Sequence, residues 1–157
     1  MTNVLFVCLG NICRSPTADG IFRELVANAR LDQKIIVDSA GTGDWHVGKA
    51  PDTRTVAAAR KRGYDLSVLR ARQVNARDFD EFDYVLAMDD ANLADLQRLK
   101  PAHFTGHLGL FLEFGSRGDY REVPDPYYGG SDGFELVLDL VEDAAQGLLN
   151  HIRQRLY

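Results

Sequence analysis

Three short runs of β-branched and aromatic residues, separated by stretches of helical periodicity, limit what this chain of 157 residues can become. Val4-Leu5-Phe6-Val7, Lys34-Ile35-Ile36-Val37-Asp38 and Asp83-Tyr84-Val85-Leu86-Ala87-Met88 predict strands. The first has no polar alternation, the mark of a strand covered on both faces. Ala18, Ile21, Phe22, Leu25 and Ala29 form a stripe with a period of about 3.6 residues, and so predict a helix. A second helix is expected from about Pro51 to Arg62, closed by Gly63, and a short one from about Asp90 to Leu99. His107 to Phe114 is apolar and predicts a fourth strand without fixing its register. Phe134, Val137, Leu138, Val141, Ala144, Leu148 and Ile152 predict a long amphipathic helix at the end. Strands alternating with helices imply an α/β fold, a four-stranded parallel sheet with helices on both faces in a three-layer arrangement. No repeat, linker or low-complexity tract divides residues 1–157, so a single domain is expected.

In such sheets ligands bind beyond the C-terminal ends of the strands. Cys8 stands there, directly after the first strand. Gly10 and Asn11 break the strand and tolerate positive φ, and Ser15-Pro16 predicts a helix start with Ser15 as N-cap and Pro16 first in the helix. A loop of Leu9, Gly10, Asn11, Ile12 and Cys13 can curl so that its N–H groups converge on one anion, with the helix N-terminus behind it. Arg14 closes the ring with a planar fork suited to two phosphate oxygens. Cys8 would then lie beneath the anion, where the same positive field favours its thiolate and aims it at phosphorus. The Ser15 hydroxyl is placed to hydrogen-bond the sulfur. The plainer alternative for Cys8 is a small buried hydrophobe at a strand end; Gly10, Arg14, Ser15 and Pro16 at these offsets weigh against it. For Cys13 two roles stay open: a reversible disulfide partner that guards Cys8, or structural filler.

An attack at phosphorus needs a proton for the departing oxygen. Asp125 stands between Pro124 and Pro126, on a stretch that cannot be helix or central strand, and a stiff loop suits a general acid. A solvated turn aspartate is the alternative. Trp45, alone of its kind and set in a glycine-rich stretch, and the pair Tyr127 and Tyr128 are candidate walls for a flat phenolic phosphate, or else packing residues.

The net charge of −5 argues against nucleic acid or an anionic membrane as the main partner. Two cysteines cannot build a disulfide framework, and the apolar stretch Val4 to Leu9 is too short for a secretory leader. No apolar run approaches the roughly 18–20 residues of a membrane span. A reducing, cytoplasmic setting is expected. His46, His103, His107 and His151 share no metal-site spacing, and no residue pattern calls for a cofactor.

The motifs together resemble the low-molecular-weight protein tyrosine phosphatases over nearly the whole chain. They are V-C-L-G-N-I-C-R-S-P at 7–16, S-A-G-T at 39–42, Trp45 to Arg54 with its G-x-x-P-D-x-R, A-R-Q-V at 71–74, F-D-Y-V-L-A-M-D at 82–89 and D-P-Y-Y-G at 125–129. The resemblance implies Cys8 as nucleophile, Arg14 as phosphate ligand and Asp125 as general acid. It also implies Asn11 as the residue that holds the loop's shape, with Ser15 and Ser39 in its hydrogen-bond network. It implies a metal-free, two-step hydrolysis of phosphotyrosine and aryl phosphates through a phosphocysteine. An aspartic acid starts near pKa ~3.9, while the first step needs it protonated and Cys8 ionised, so activity should peak on the acidic side of neutral. Partners would be tyrosine-phosphorylated proteins and a cognate kinase, and the protein a monomer or a weak self-associator. One departure is visible: a histidine common shortly before A-R-Q is missing from Ser67-Val68-Leu69-Arg70.

Four other readings are weaker. Arsenate reductases of this fold use further cysteines past the middle of the chain, and none follows Cys13. Protein arginine phosphatases usually carry threonine where Ile12 stands and lack the paired tyrosines. A non-catalytic phosphate-binding module needs neither Cys8 nor Asp125, and a dithiol redox protein would show C-x-x-C.

Overall fold

The computed structural model describes residues 1–127 and 130–156. Four strands, β1 (Thr2–Cys8), β2 (Ile35–Gly41), β3 (Tyr84–Ala87) and β4 (His107–Leu110), form one sheet in the order β2-β1-β3-β4. Every pairing is parallel, with Val4 opposite Val37 on one side and Tyr84 on the other. The α/β class and the four-stranded parallel sheet are as expected. Helices α1 (Arg14–Asn28), α2 (Thr53–Arg60), α3 (Asp78–Glu81), α4 (Asp90–Leu99) and α5 (Ser131–Leu156) connect and cover the strands. No helix among the described residues is long and apolar enough to cross a membrane.

Central position explains the unbroken apolar run of β1. Its residues alternate between two cores: Val4, Phe6 and Cys8 face the larger, with α1 and α5, while Leu5 and Val7 face the smaller, with Leu96 of α4. Phe6 meets Phe22 and Phe111 edge to face, at 5.7 and 4.9 Å between ring centroids. Where α5 crosses the turn after β4 the contact is so close that a Cβ on Gly147 would lie 1.8 Å from the Phe114 carbonyl oxygen.

Three expectations need correction. Helix α1 begins at Arg14 with Cys13 at its N-cap, so Ser15 is not the cap and Pro16 is the third helical residue. Proline is tolerated there because first-turn N–H groups have no intrahelical partner in any case. Strand β2 runs on to Gly41, because Ser39, Ala40 and Gly41 stay in register with Phe6, Val7 and Cys8 of β1, and the A-R-Q-V segment bonds its last residue: Gly41 N–H donates to the Arg72 carbonyl, and Val74 N–H to that of Gly41, both at 2.8 Å. The apolar stretch after His107 is a strand only to Leu110; Phe111–Phe114 is a 3-10 turn.

Candidate active site

The chain between β1 and α1 curls tightly around the Cys8 sulfur. Asn11 adopts φ 57°, the left-handed region where asparagine is among the few tolerated side chains. That twist directs the Asn11 N–H at Cys8 Sγ, 3.3 Å away. Ser15 Oγ lies 3.0 Å from the same sulfur and accepts a hydrogen bond from Asn11 Nδ2 at 2.8 Å. The hydroxyl proton of Ser15 is thereby left for the sulfur or for the Ala40 carbonyl at 3.4 Å, and the shorter contact favours the sulfur. Asn11 Nδ2 also donates to Ser39 Oγ at 3.1 Å. Its carboxamide oxygen accepts the Arg72 N–H at 3.0 Å, which fixes the amide's orientation because a main-chain N–H can only donate.

This network lies behind the loop, where Asn11, Ser15 and Ser39 are all buried. It answers the missing histidine: Asn11 is braced by the main chain of Arg72 instead. Arg72 is itself anchored by ion pairs to Asp38 at 3.1 Å and Asp78 at 3.0 Å.

In front of the loop is a cavity of about 290 Å³. Cys8, Leu9, Gly10, Ile12, Cys13 and Arg14 line its base, and Trp45, Asp125 and Tyr127 its walls. Tyr128 lies outside the described residues. Trp45 is 60% exposed, which excludes a core role for it. His46 is an unanticipated member of the wall; its ring packs so closely on Gly10 that a Cβ there would sit 3.0 Å from Cδ2.

Arg14 is 3% exposed, and one of its amino groups, Nη1, uses both protons on fixed acceptors. They go to Asp89 Oδ2 at 2.6 Å and the Val123 carbonyl at 3.1 Å. Burial opposes the charge on Arg14, but Cys8, the hydrogen-bonded Asp89 and Asp125 together raise its pKa above the ordinary arginine value. The guanidinium therefore stays charged in a nearly sealed place. Asp89 divides its oxygens, since the other caps α4 by accepting the Asn92 N–H at 2.8 Å. Its role was not recognised from sequence, although its place just beyond the end of β3, on the sheet edge that holds Cys8, was the available signal.

Asp125 comes from the far end of the chain, with one oxygen 3.8 Å from Arg14 Nη2 and the other accepting the Tyr127 N–H at 3.0 Å. The carboxylate is 40% exposed, so it faces the cavity mouth and solvent together. Cys13 is a free thiol, like Cys8. Burial, only partly offset by the Thr55 hydroxyl, pushes its pKa up to about 12. Among the described residues no group of three or more His, Cys, Asp or Glu is placed to hold a metal ion.

The sequence profile of the low molecular weight phosphotyrosine protein phosphatases matches residues 3–156. The chain is 44% identical over 154 residues to the low molecular weight protein-tyrosine-phosphatase YfkJ of Bacillus subtilis, covering 98% of this chain and 97% of that one. It is 48% identical over 151 residues to the low molecular weight phosphotyrosine protein phosphatase of Schizosaccharomyces pombe, covering 95% and 96%. A crystal structure of protein tyrosine phosphatase from Entamoeba histolytica, with Hepes in the active site, superposes with a TM-score of 0.95 at 38% identity over 100% of both chains. A match of this length and depth is more than shared architecture: the chain belongs to the low molecular weight phosphotyrosine protein phosphatase family.

Proposed function

We propose that the protein hydrolyses phosphotyrosine in two steps through a phosphocysteine on Cys8. The observation that carries this reading is the state of the Cys8 sulfur. It is buried at the base of a cavity, yet it receives the Asn11 N–H and the Ser15 hydroxyl, while the charged Arg14 lines the same base. Those contacts stabilise negative charge on sulfur both before attack and when it leaves. With Nη1 of Arg14 fixed by Asp89 and Val123, the edge formed by Nε and Nη2 is the one to hold two phosphate oxygens.

In the first step Sγ bonds to phosphorus as the bond from phosphorus to the phenolic oxygen breaks, and Asp125 gives that oxygen its proton. In the second, Asp125 takes a proton from water as the water oxygen bonds to phosphorus and the sulfur departs as thiolate. Donors converging on the phosphoryl oxygens stabilise the transition state of both steps. Trp45 and Tyr127 supply faces for the phenolic ring. The partners in this reading are tyrosine-phosphorylated proteins, with a kinase supplying the modification in the cytoplasm.

The test compares wild type and Cys8→Ser on phosphotyrosine, phosphoserine and phosphoarginine peptides. Wild type should prefer phosphotyrosine and Cys8→Ser should be inactive on all three. Turnover by Cys8→Ser would sink the covalent mechanism, and a preference for phosphoarginine would overturn the substrate assignment.

A further inference from the structure

Arg54, in the first turn of α2, is tied to parts of the chain that regular structure does not bring together. Its guanidinium grips Asp52 with Nε on one carboxylate oxygen and Nη2 on the other, both at 3.1 Å. The same Nη2 donates to the main-chain carbonyl of Tyr127 at 3.0 Å. The planar group also lies against two rings, 5.2 Å from the centroid of Tyr127 and 5.0 Å from that of Phe134 on α5. Asp52 continues the connection: its N–H donates to the Ile12 carbonyl in the phosphate loop at 2.8 Å, and its carboxylate caps α2 by accepting the Arg54 N–H at 2.8 Å. At the other end, the Tyr127 N–H is the donor that holds Asp125 Oδ1 at 3.0 Å. Tyr127 is thus pinned at both main-chain groups, its carbonyl by Arg54 and its N–H by Asp125.

We propose that Arg54 is a positioning residue for the leaving-group proton: it fixes Tyr127 against α2 and α5, and through Tyr127 it sets the Asp125 carboxyl over the Cys8 loop. The inference rests on Asp125 being the general acid. An ordinary exposed Asp–Arg pair contributes little, but here the same guanidinium also bonds the Tyr127 carbonyl and so joins the start of α2 to the segment that carries Asp125. Proton transfer depends steeply on placement, and a displacement of about 1 Å costs on the order of 100-fold. Among the described residues Arg54 makes no hydrogen bond or ion pair with Cys8 or Arg14, so its removal should affect the acid and spare the attack.

The experiment compares kcat/KM, which reports phosphoryl transfer to Cys8 however fast the intermediate is later hydrolysed. Two substrates are used: a phosphotyrosine peptide, whose leaving oxygen needs a proton, and 2,4-dinitrophenyl phosphate, whose leaving group does not. Arg54→Met should lose roughly 10- to 100-fold on the peptide and change by no more than about threefold on the dinitrophenyl ester. Arg54→Lys should recover little, because an ammonium supplies neither the fork nor the planar face. Combined with Asp125→Asn, Arg54→Met should add almost nothing on the peptide, since residues acting through one group are not additive.

Equal losses by Arg54→Met on both substrates, or a full additional loss in the Asp125→Asn background, would overturn the proposal. Should Arg54→Met fail to fold, Asp52→Asn replaces it: asparagine retains a good N-cap but abolishes the ion pair, and a smaller loss confined to the peptide is expected. An unselective loss there would be equally damaging. If Asp125→Asn alone lowers both substrates equally, the acid assignment falls and takes this inference with it. If Asp125→Asn is selective and Arg54→Met is not, only the inference about Arg54 fails.

Discussion

Replacing Asn11 by alanine tests the hydrogen-bond network behind the phosphate loop more directly than any other change. Its side chain makes three hydrogen bonds: to Ser15 Oγ, to Ser39 Oγ and from the Arg72 N–H, at 2.8, 3.1 and 3.0 Å. At about 1 kcal/mol net for each, their loss amounts to roughly 3 kcal/mol. Alanine at φ 57° adds a further ~1–2 kcal/mol, a conformational penalty that glycine would avoid. The total of about 4–5 kcal/mol is a large share of an ordinary domain's stability of ~5–15 kcal/mol.

Where that loss is seen depends on whether the loop can relax. Urea unfolding should therefore be followed with and without saturating orthovanadate, an oxyanion that requires the curled loop. With vanadate bound, Asn11→Ala should lose the whole 4–5 kcal/mol relative to wild type under the same conditions. Without it the loss should be smaller, because the freed loop relieves its strain. By linkage the difference must reappear as weaker vanadate binding, tenfold for each ~1.4 kcal/mol. Asn11→Gly separates the contributions, losing the three bonds but not the φ penalty. A loss below about 1 kcal/mol with vanadate bound, and kcat/KM within twofold of wild type, would refute the claim that this network shapes the loop.

Three further outcomes are expected. Because burial keeps the Cys13 thiol protonated, with a pKa of about 12, iodoacetamide at pH 7.5 should mark Cys8 and spare Cys13 in peptide mass mapping; matched labelling of the two would contradict this. Gly147→Ala should destabilise the protein by roughly 1–3 kcal/mol in thermal melts despite alanine's better helix propensity, since its methyl meets the Phe114 backbone; a stabilised variant would show that α5 moves aside without cost. Burial, with Arg155 and His107 nearby, depresses the pKa of His151 below the usual 6.5, so the folded state resists its protonation. Its contribution to stability is complete above about 6.5 and declines as the pH falls through that value toward the depressed one; the fall in urea midpoint between pH 7.5 and 5.0 should shrink in His151→Gln, and an unchanged fall would exclude His151 as a source.

Features governed by local chemistry were legible in the chain. The alternation of β-branched runs with helical stripes announced the sheet, and α4 runs from Asp90 to Leu99 as its pattern implied. The edge of the sheet, the curled loop and the outlying Asp125 followed from Cys8 standing at a strand end and from Asp125 standing between prolines. Errors arose where distant groups overrode local preference. Ser15-Pro16 is a good capping pair in isolation, yet the Ser15 hydroxyl is drawn to Cys8 and Asn11, which moves the cap back to Cys13. Asp89 holds Arg14 across 75 positions of sequence, and the Arg72 N–H reaches Asn11 across 61, pairings that no spacing rule reveals. Helix α3, at four residues, is too short to carry a period.

The central position of β1 has a consequence for how activity is lost on warming. Val4 to Val7 are bonded to a strand on each side and closed off by a core on each face, so their amides should be among the last to exchange with deuterium. Asp125 sits outside every helix and strand, and its neighbourhood should exchange far sooner. On this expectation Cys8 and Asp125 occupy opposite ends of one gradient of opening free energy. As temperature rises, molecules should first cease to protonate poor leaving groups while still binding oxyanions and transferring phosphoryl from activated esters. Inactivation confined to that interval should reverse on cooling, because the strand that carries Cys8 has not yet opened.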